Sequence, residues 1–135
     1  MKVVRTAFVA LMSGLVCAGG LAAQERGMEF PYDQDFLLDA ASKRGSDRVP
    51  TLSVQENGNA MLNLWCSDAR SQFIIAGETV TILISAKTEH GCTPEARSAD
   101  DSLVDALSGV TTWSATDTAL DLHGPVTLHF LVSSH

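Results

Sequence analysis

Apolar and polar residues alternate along most of this chain with a period of two. Leu52 and Val54 alternate with Thr51 and Ser53. Glu56-Asn57-Gly58-Asn59 follows as a turn, because Asn-Gly tolerates the positive φ angles of a tight hairpin. Leu62, Leu64 and Cys66 then share one face, and Ser67 to Ser71 reads as a polar break. Phe73 to Ala76 is apolar, and Ala76-Gly77-Glu78 turns the chain. Val80, Ile82 and Ile84 alternate with Thr79, Thr81 and Ser85, with Leu83 as one extra apolar residue. Each such run needs one buried and one wetter face.

One segment departs from this period. Ser98-Ala99-Asp100-Asp101 resembles a capping box with Asp in place of Glu, and Leu103, Ala106 and Leu107 follow at helical spacing. Gly109 can end the helix in a left-handed conformation. The spacing predicts one short helix over 100–108. The period of two then returns around Trp113, at Leu120 and Leu122, and most regularly at Val126, Leu128, Phe130 and Val132. Asp117-Thr118 and Gly124-Pro125 supply the turns between these runs. The expected fold is all-β with one short helix: a small, antiparallel, barrel-like curled sheet with the helix plugging an end or a face.

The N-terminus changes the picture of where such a domain works. Lys2 and Arg5 form a positive n-region, Ala7 to Val16 an apolar h-region, and Ala18 to Ala23 a run of mostly small residues. The stretch is too short and Gly-rich for a spanning helix, so residues 1–23 read as a signal peptide cleaved after Ala22 or Ala23. Lipoprotein anchoring at Cys17 is disfavoured, because that signal needs Leu three residues before the cysteine and a small residue immediately before it. Gly14 and Val16 stand there. Residues 24–49 form an N-terminal segment with a first strand around Phe36-Leu37-Leu38 and a polar loop at Lys43 to Arg48. Residues 50–135 form the main domain. The expected location is the periplasm or outside the cell, with no transmembrane segment after cleavage.

Removing the signal takes two of the nine basic residues and none of the sixteen acidic ones, so the formal charge moves from −7 to −9. An acidic domain with scattered basic residues does not neutralise phosphates, which disfavours nucleic acid and anionic lipid as partners. Cys66 and Cys92 remain after cleavage, and pairing is the default in an oxidising compartment. The loop they close limits the unfolded chain by roughly 3.5 kcal/mol on a chain-entropy estimate.

Candidate chemistry is sparse. Cys66, His90 and Cys92 form a set of three soft ligands, but structural zinc usually takes four, and a disulfide is the more economical reading. Neither a metal nor a cofactor is implied. Ser102 and Ser108 lack the Gly-x-Ser-x-Gly setting of a nucleophile. His90 and His123 fall in loops, and His129 on the outward face of the last strand. Asp100 and Asp101 fit helix capping better than acid–base work, and Glu95 with Arg97 fits a solvated ion pair. No catalytic residue is assigned. Trp65 alternates against Cys66, so an inward Cys66 turns Trp65 to the other face, where burial under the helix or the N-terminal segment is the favoured reading and a partner-binding anchor the alternative. Trp65 and His90 are the candidate binding residues.

Several elements together resemble the META domain, the domain of the heat-shock-protein HslJ-like family, over roughly residues 50–131. A strand leads into Leu64-Trp65-Cys66-Ser67, where the family has a Gly-Cys-Asn element. Thr88-Glu89-His90-Gly91-Cys92 matches a Thr followed four residues later by Cys. Ser102-Leu103 to Leu107 matches a short helix with paired leucines. Leu120-Asp121-Leu122 and Leu128-His129-Phe130 match a closing hairpin. Trp65 and Ser67 depart from the family's usual Gly and Asn. The resemblance implies a barrel-like fold, an envelope location, a loose link to stress response, and no reaction. The expected function is a non-enzymatic binding or structural module whose partner is an envelope protein or a small ligand. A small periplasmic enzyme with an unrecognised site and a chaperone- or inhibitor-like factor are the alternatives.

Overall fold

The computed structural model describes residues 29–41 and 47–133, together with Gly14. The rest of the signal segment, Cys17 and the cleavage positions included, lies outside the described residues, as does most of the 43–48 loop.

Among the described residues, nine strands and one helix follow in order: β1 Asp35–Leu38, β2 Thr51–Val54, β3 Asn59–Asn63, β4 Ser67–Ala76, β5 Thr79–Ile84, β6 Thr88–Glu89, α1 Pro94–Ser108, β7 Thr112–Ala115, β8 Ala119–His123 and β9 Leu128–Val132. Every pairing is antiparallel. The sheet order is β3-β2-β1-β9-β8-β7-β5-β4-β6, and a further β3–β4 pairing closes it into an eight-stranded barrel with β6 as an added strand. Closure gives the alternating runs a single interior to fill.

The alternation decides what fills it. Phe36, Leu52, Val54, Leu62, Val80, Ile82, Leu120, Leu122 and Phe130 point inward and are almost fully buried. Leu64, Leu103, Leu107 and Leu128 join the same cluster. Each fully buried side chain of this kind contributes about 1.5–3 kcal/mol. Phe30 packs into the interior ahead of β1, with its ring centroid 5.0 Å from Tyr32 and 5.1 Å, edge-on, from Trp113. The Asn57-Gly58 turn joins β2 to β3 with Gly58 at φ 88°. A Cβ there would meet the Phe73 carbonyl oxygen at 2.5 Å, so only glycine fits.

Four local expectations are corrected. The polar break at Ser67 to Ser71 is instead the first half of β4, the longest strand, because the small residues Ser67, Ala69 and Ser71 alternate inward. The helix begins at Pro94 rather than 100: Thr93 Oγ1 accepts from Ala96 N at 3.2 Å, and Pro94 supplies a preset φ at the first turn. Ser98 to Asp101 therefore lie inside the helix and cap nothing. Gly109 ends it at φ −91°, not in the left-handed region. His123 closes β8 rather than sitting in a loop.

Strand β5 pairs with β7 only at Thr79 and Thr112, and β5 continues beyond that point. Helix α1 packs against β5 with Ala96, Asp100, Leu103 and Leu107 buried. It runs from the Cys66 corner to the Gly124-Pro125 turn, where Gly124 lies against the Gly109 carbonyl. No helix among the described residues is long and apolar enough to cross a membrane.

Candidate functional site

Strand β3 stops at Asn63, and the chain bends through Leu64 to Cys66 before β4 begins. The Leu64 amide closes the bend on the Ser67 carbonyl at 2.7 Å. Strand alternation does not apply across a bend, so Trp65 and Cys66 are both buried. The Trp65 indole N–H donates to the Ala41 carbonyl at 3.0 Å, which places the ring under the N-terminal segment. Its face is not offered to solvent for an anchor.

Asp100 organises this corner. It is fully buried, on the apolar stripe of α1. Its Oδ1 accepts from the Trp65 amide at 2.7 Å, and its Oδ2 accepts from the Cys66 amide at 3.2 Å and the Ser67 hydroxyl at 2.6 Å. A carboxylate buried among three donors exchanges its lost hydration for charge-assisted hydrogen bonds. From the other side, Arg48 donates to the Trp65 carbonyl at 3.3 Å and the Ser67 carbonyl at 3.1 Å. The bend is thus held through its N–H groups by an anion and through its C=O groups by a cation.

Cys66 and Cys92 form the disulfide, with Cα atoms 5.4 Å apart. Cys66 is buried and Cys92 half-buried. The two sulfurs and an Asp100 oxygen all lie within 4.8 Å of one another. A disulfide sulfur carries no proton, so the 3.1 Å approach of Cys66 Sγ to Asp100 Oδ2 is a contact and not a hydrogen bond. His90 stands on the exposed rim, with Nε2 2.7 Å from Asp68 Oδ2, and Asp68 Oδ1 also takes Arg48 at 3.1 Å. The expected Glu95–Arg97 pairing is replaced. Arg97 forks onto Glu89 at 2.9 and 3.3 Å, tying α1 to β6 and holding the Glu89 carboxyl below its ordinary range.

A second feature lies on the outer face of the barrel. A groove of about 670 Å³ runs over β2, β3, β4 and β5, lined among others by Ser53, Asn59, Met61, Arg70, Gln72 and Leu83. Met61 faces Arg70 across β3–β4, and Gln72 faces Leu83 across β4–β5. Met61 and Leu83 are 42% and 55% exposed, high for apolar residues of a closed barrel. Among the described residues the Arg70 guanidinium meets no carboxylate. The sequence signals were Leu83, the residue that interrupts its strand's alternation, and a lone Arg between small residues.

The META domain model matches residues 33–134. Among solved structures, a protein from Burkholderia xenovorans determined by NMR is 16% identical, with a TM-score of 0.62 over 96% of this chain and 100% of its own. A second NMR structure is 14% identical, with a TM-score of 0.55 over 74% of this chain and 89% of its own. At these identities the likeness is one of fold. No curated protein matches the chain.

Proposed function

The chain belongs to the META domain family, and on that premise we propose that it is a non-enzymatic binding module exported to the periplasm or beyond the cell. Export is supported by the tripartite N-terminal 23 residues and by a disulfide suited to an oxidising compartment. Mass spectrometry of envelope and medium fractions should find a chain beginning at Ala23 or Gln24 and carrying no lipid. An acylated Cys17 at the N-terminus would overturn this. A link to stress response rests on the family alone.

The observation that carries the binding role is the outer groove with an uncompensated Arg70 between exposed Met61 and Leu83. Its occupant, in this reading, is an extended segment of a partner protein. Gln55, Asn59 and Gln72 offer amide donors and acceptors that match peptide groups. Met61 and Leu83 accept apolar side chains, and Met adapts its shape to them. Arg70 takes one carboxylate. The chain's overall acidity opposes a run of several.

An array of end-blocked hexapeptides with randomised flanks, and Asp, Asn or Lys fixed at the centre, tests this. Asp-centred peptides should be retained, and Arg70→Ala should weaken them about tenfold, the value of one charge-assisted hydrogen bond. Equal retention of Asp and Lys peptides, or indifference to Arg70→Ala, would reject the reading.

A further inference from the structure

The Cys66 corner has a property that the groove does not use. Its shape is fixed by contacts that do not pass through the sulfur–sulfur bond. Asp100 holds the Trp65 and Cys66 amides and the Ser67 hydroxyl, and Arg48 holds the Trp65 and Ser67 carbonyls. The His90 amide donates to the Cys66 carbonyl at 3.0 Å, which keeps the segment leading to Cys92 against the bend. Thr93, next to Cys92, caps α1, the helix that carries Asp100. Opening the disulfide therefore leaves two thiols and one carboxylate gathered in place.

We propose that the dithiol form of this corner binds one thiophilic divalent cation of the zinc and cadmium class through Cys66 Sγ, Cys92 Sγ and Asp100. The three ligand atoms already lie within 4.8 Å of one another, the spread of a first coordination sphere. Asp100 Oδ2 accepts two hydrogen bonds and Oδ1 one, and a carboxylate has about four acceptor positions, so the one that remains for a cation is on Oδ1. Three protein ligands leave a fourth position open, and the half-buried Cys92 gives that position a path to solvent. His90 is not part of the set, because its ring is turned to Asp68.

The chemistry balances with a dithiol reductant. Two of its S–H groups reduce the Cys66–Cys92 bond and leave as its own disulfide, giving two cysteine thiols. The cation then replaces both thiol protons, which pass to solvent. The oxidised chain has no thiolate to offer and does not bind.

The test uses the exported chain, reduced with a dithiol, freed of it without air, and titrated with cadmium. The expected result is an ultraviolet thiolate-to-cadmium band that saturates at one equivalent, is absent from the oxidised chain, and vanishes in Cys92→Ser. Asp100→Asn, which exchanges a charged ligand for a neutral amide, should weaken binding by at least the ~10-fold that loss of even an outer-shell partner costs. In the parent protein, carboxyl carbon NMR should show the Asp100 signal moving in step with the band, which keeps the test independent of how Asp100→Asn folds. An unmoved Asp100 signal, the same band in the oxidised chain, or loss of near-ultraviolet circular dichroism on reduction alone would each overturn the proposal.

Discussion

Replacing Asp100 tests how the Cys66 corner is held. Asp100→Ala strands the Trp65 and Cys66 amides, both buried, and the Ser67 hydroxyl, in a residue with no exposed surface. A buried donor left without a partner costs about 1–3 kcal/mol, and backbone amides cannot rotate away to find another. The relief from no longer burying a charge offsets part of this, which leaves a net cost of about 3–5 kcal/mol. That is a large share of the ~5–15 kcal/mol expected for a domain of this size. At about 4–8 °C per kcal/mol, the midpoint should fall by at least ~12 °C. Asp100→Asn keeps the acceptor for Trp65 and can donate to Ser67 Oγ, so it should cost about half as much. Thermal and urea unfolding with the disulfide intact gives both numbers. An Asp100→Ala chain within ~1 kcal/mol of the parent would show that the bend is held by the disulfide and Arg48 and that the carboxylate is incidental.

Two further outcomes follow from the same structure. Phe130, fully buried on β9 and opposite both Leu38 and Leu120, should cost ~3–5 kcal/mol as Phe130→Ala in urea unfolding. His129 on the outer face should titrate above its ordinary value, because its hydrogen bond to Asp121, helped by the charges of Asp121 and Asp39, outweighs slight desolvation. A raised histidine adds stability below its unfolded value of 6.5 and loses it as pH rises through the folded value. For so exposed a pair the effect on unfolding should be small, so ring NMR is the measurement, and Asp121→Asn should lower the midpoint.

The barrel was legible in the sequence because alternation reports directly on a two-faced strand. Leu52, Val54, Leu62, Leu64, Ile82, Leu103, Leu107, Leu120, Leu122, Leu128 and Phe130 were all expected inside, and all are buried. Alternation misleads where a strand bends, which is why Trp65 and Cys66, expected on opposite faces, are both buried, Trp65 under the N-terminal segment as the favoured reading had it. It also goes silent where small polar residues face inward, which is why Ser67 to Ser71 read as a break. The role of Asp100 depended on placing the helix start. Once Thr93-Pro94 is taken as the cap, Ala96, Asp100, Leu103 and Leu107 fall on one stripe, and a carboxylate among them calls for buried donors. Those donors are two backbone amides and a serine hydroxyl far away in the chain, which no local pattern announces. The groove was illegible for another reason: it spans the consecutive hairpins of β2 to β5, and only their register, which sets Met61 opposite Arg70 and Gln72 opposite Leu83, brings its lining together.

The proposed binding role is tested most directly by mapping amide shifts of the isotopically labelled chain as the best-retained Asp-centred peptide is added. The account predicts saturable shifts confined to Ser53, Met61, Arg70, Gln72, Leu83 and their strand neighbours, with the midpoint about tenfold higher in Arg70→Ala. Shifts centred elsewhere, on the Leu37–Leu131 face or around Phe30 and Tyr32, would contradict it, as would a midpoint unmoved by the loss of Arg70.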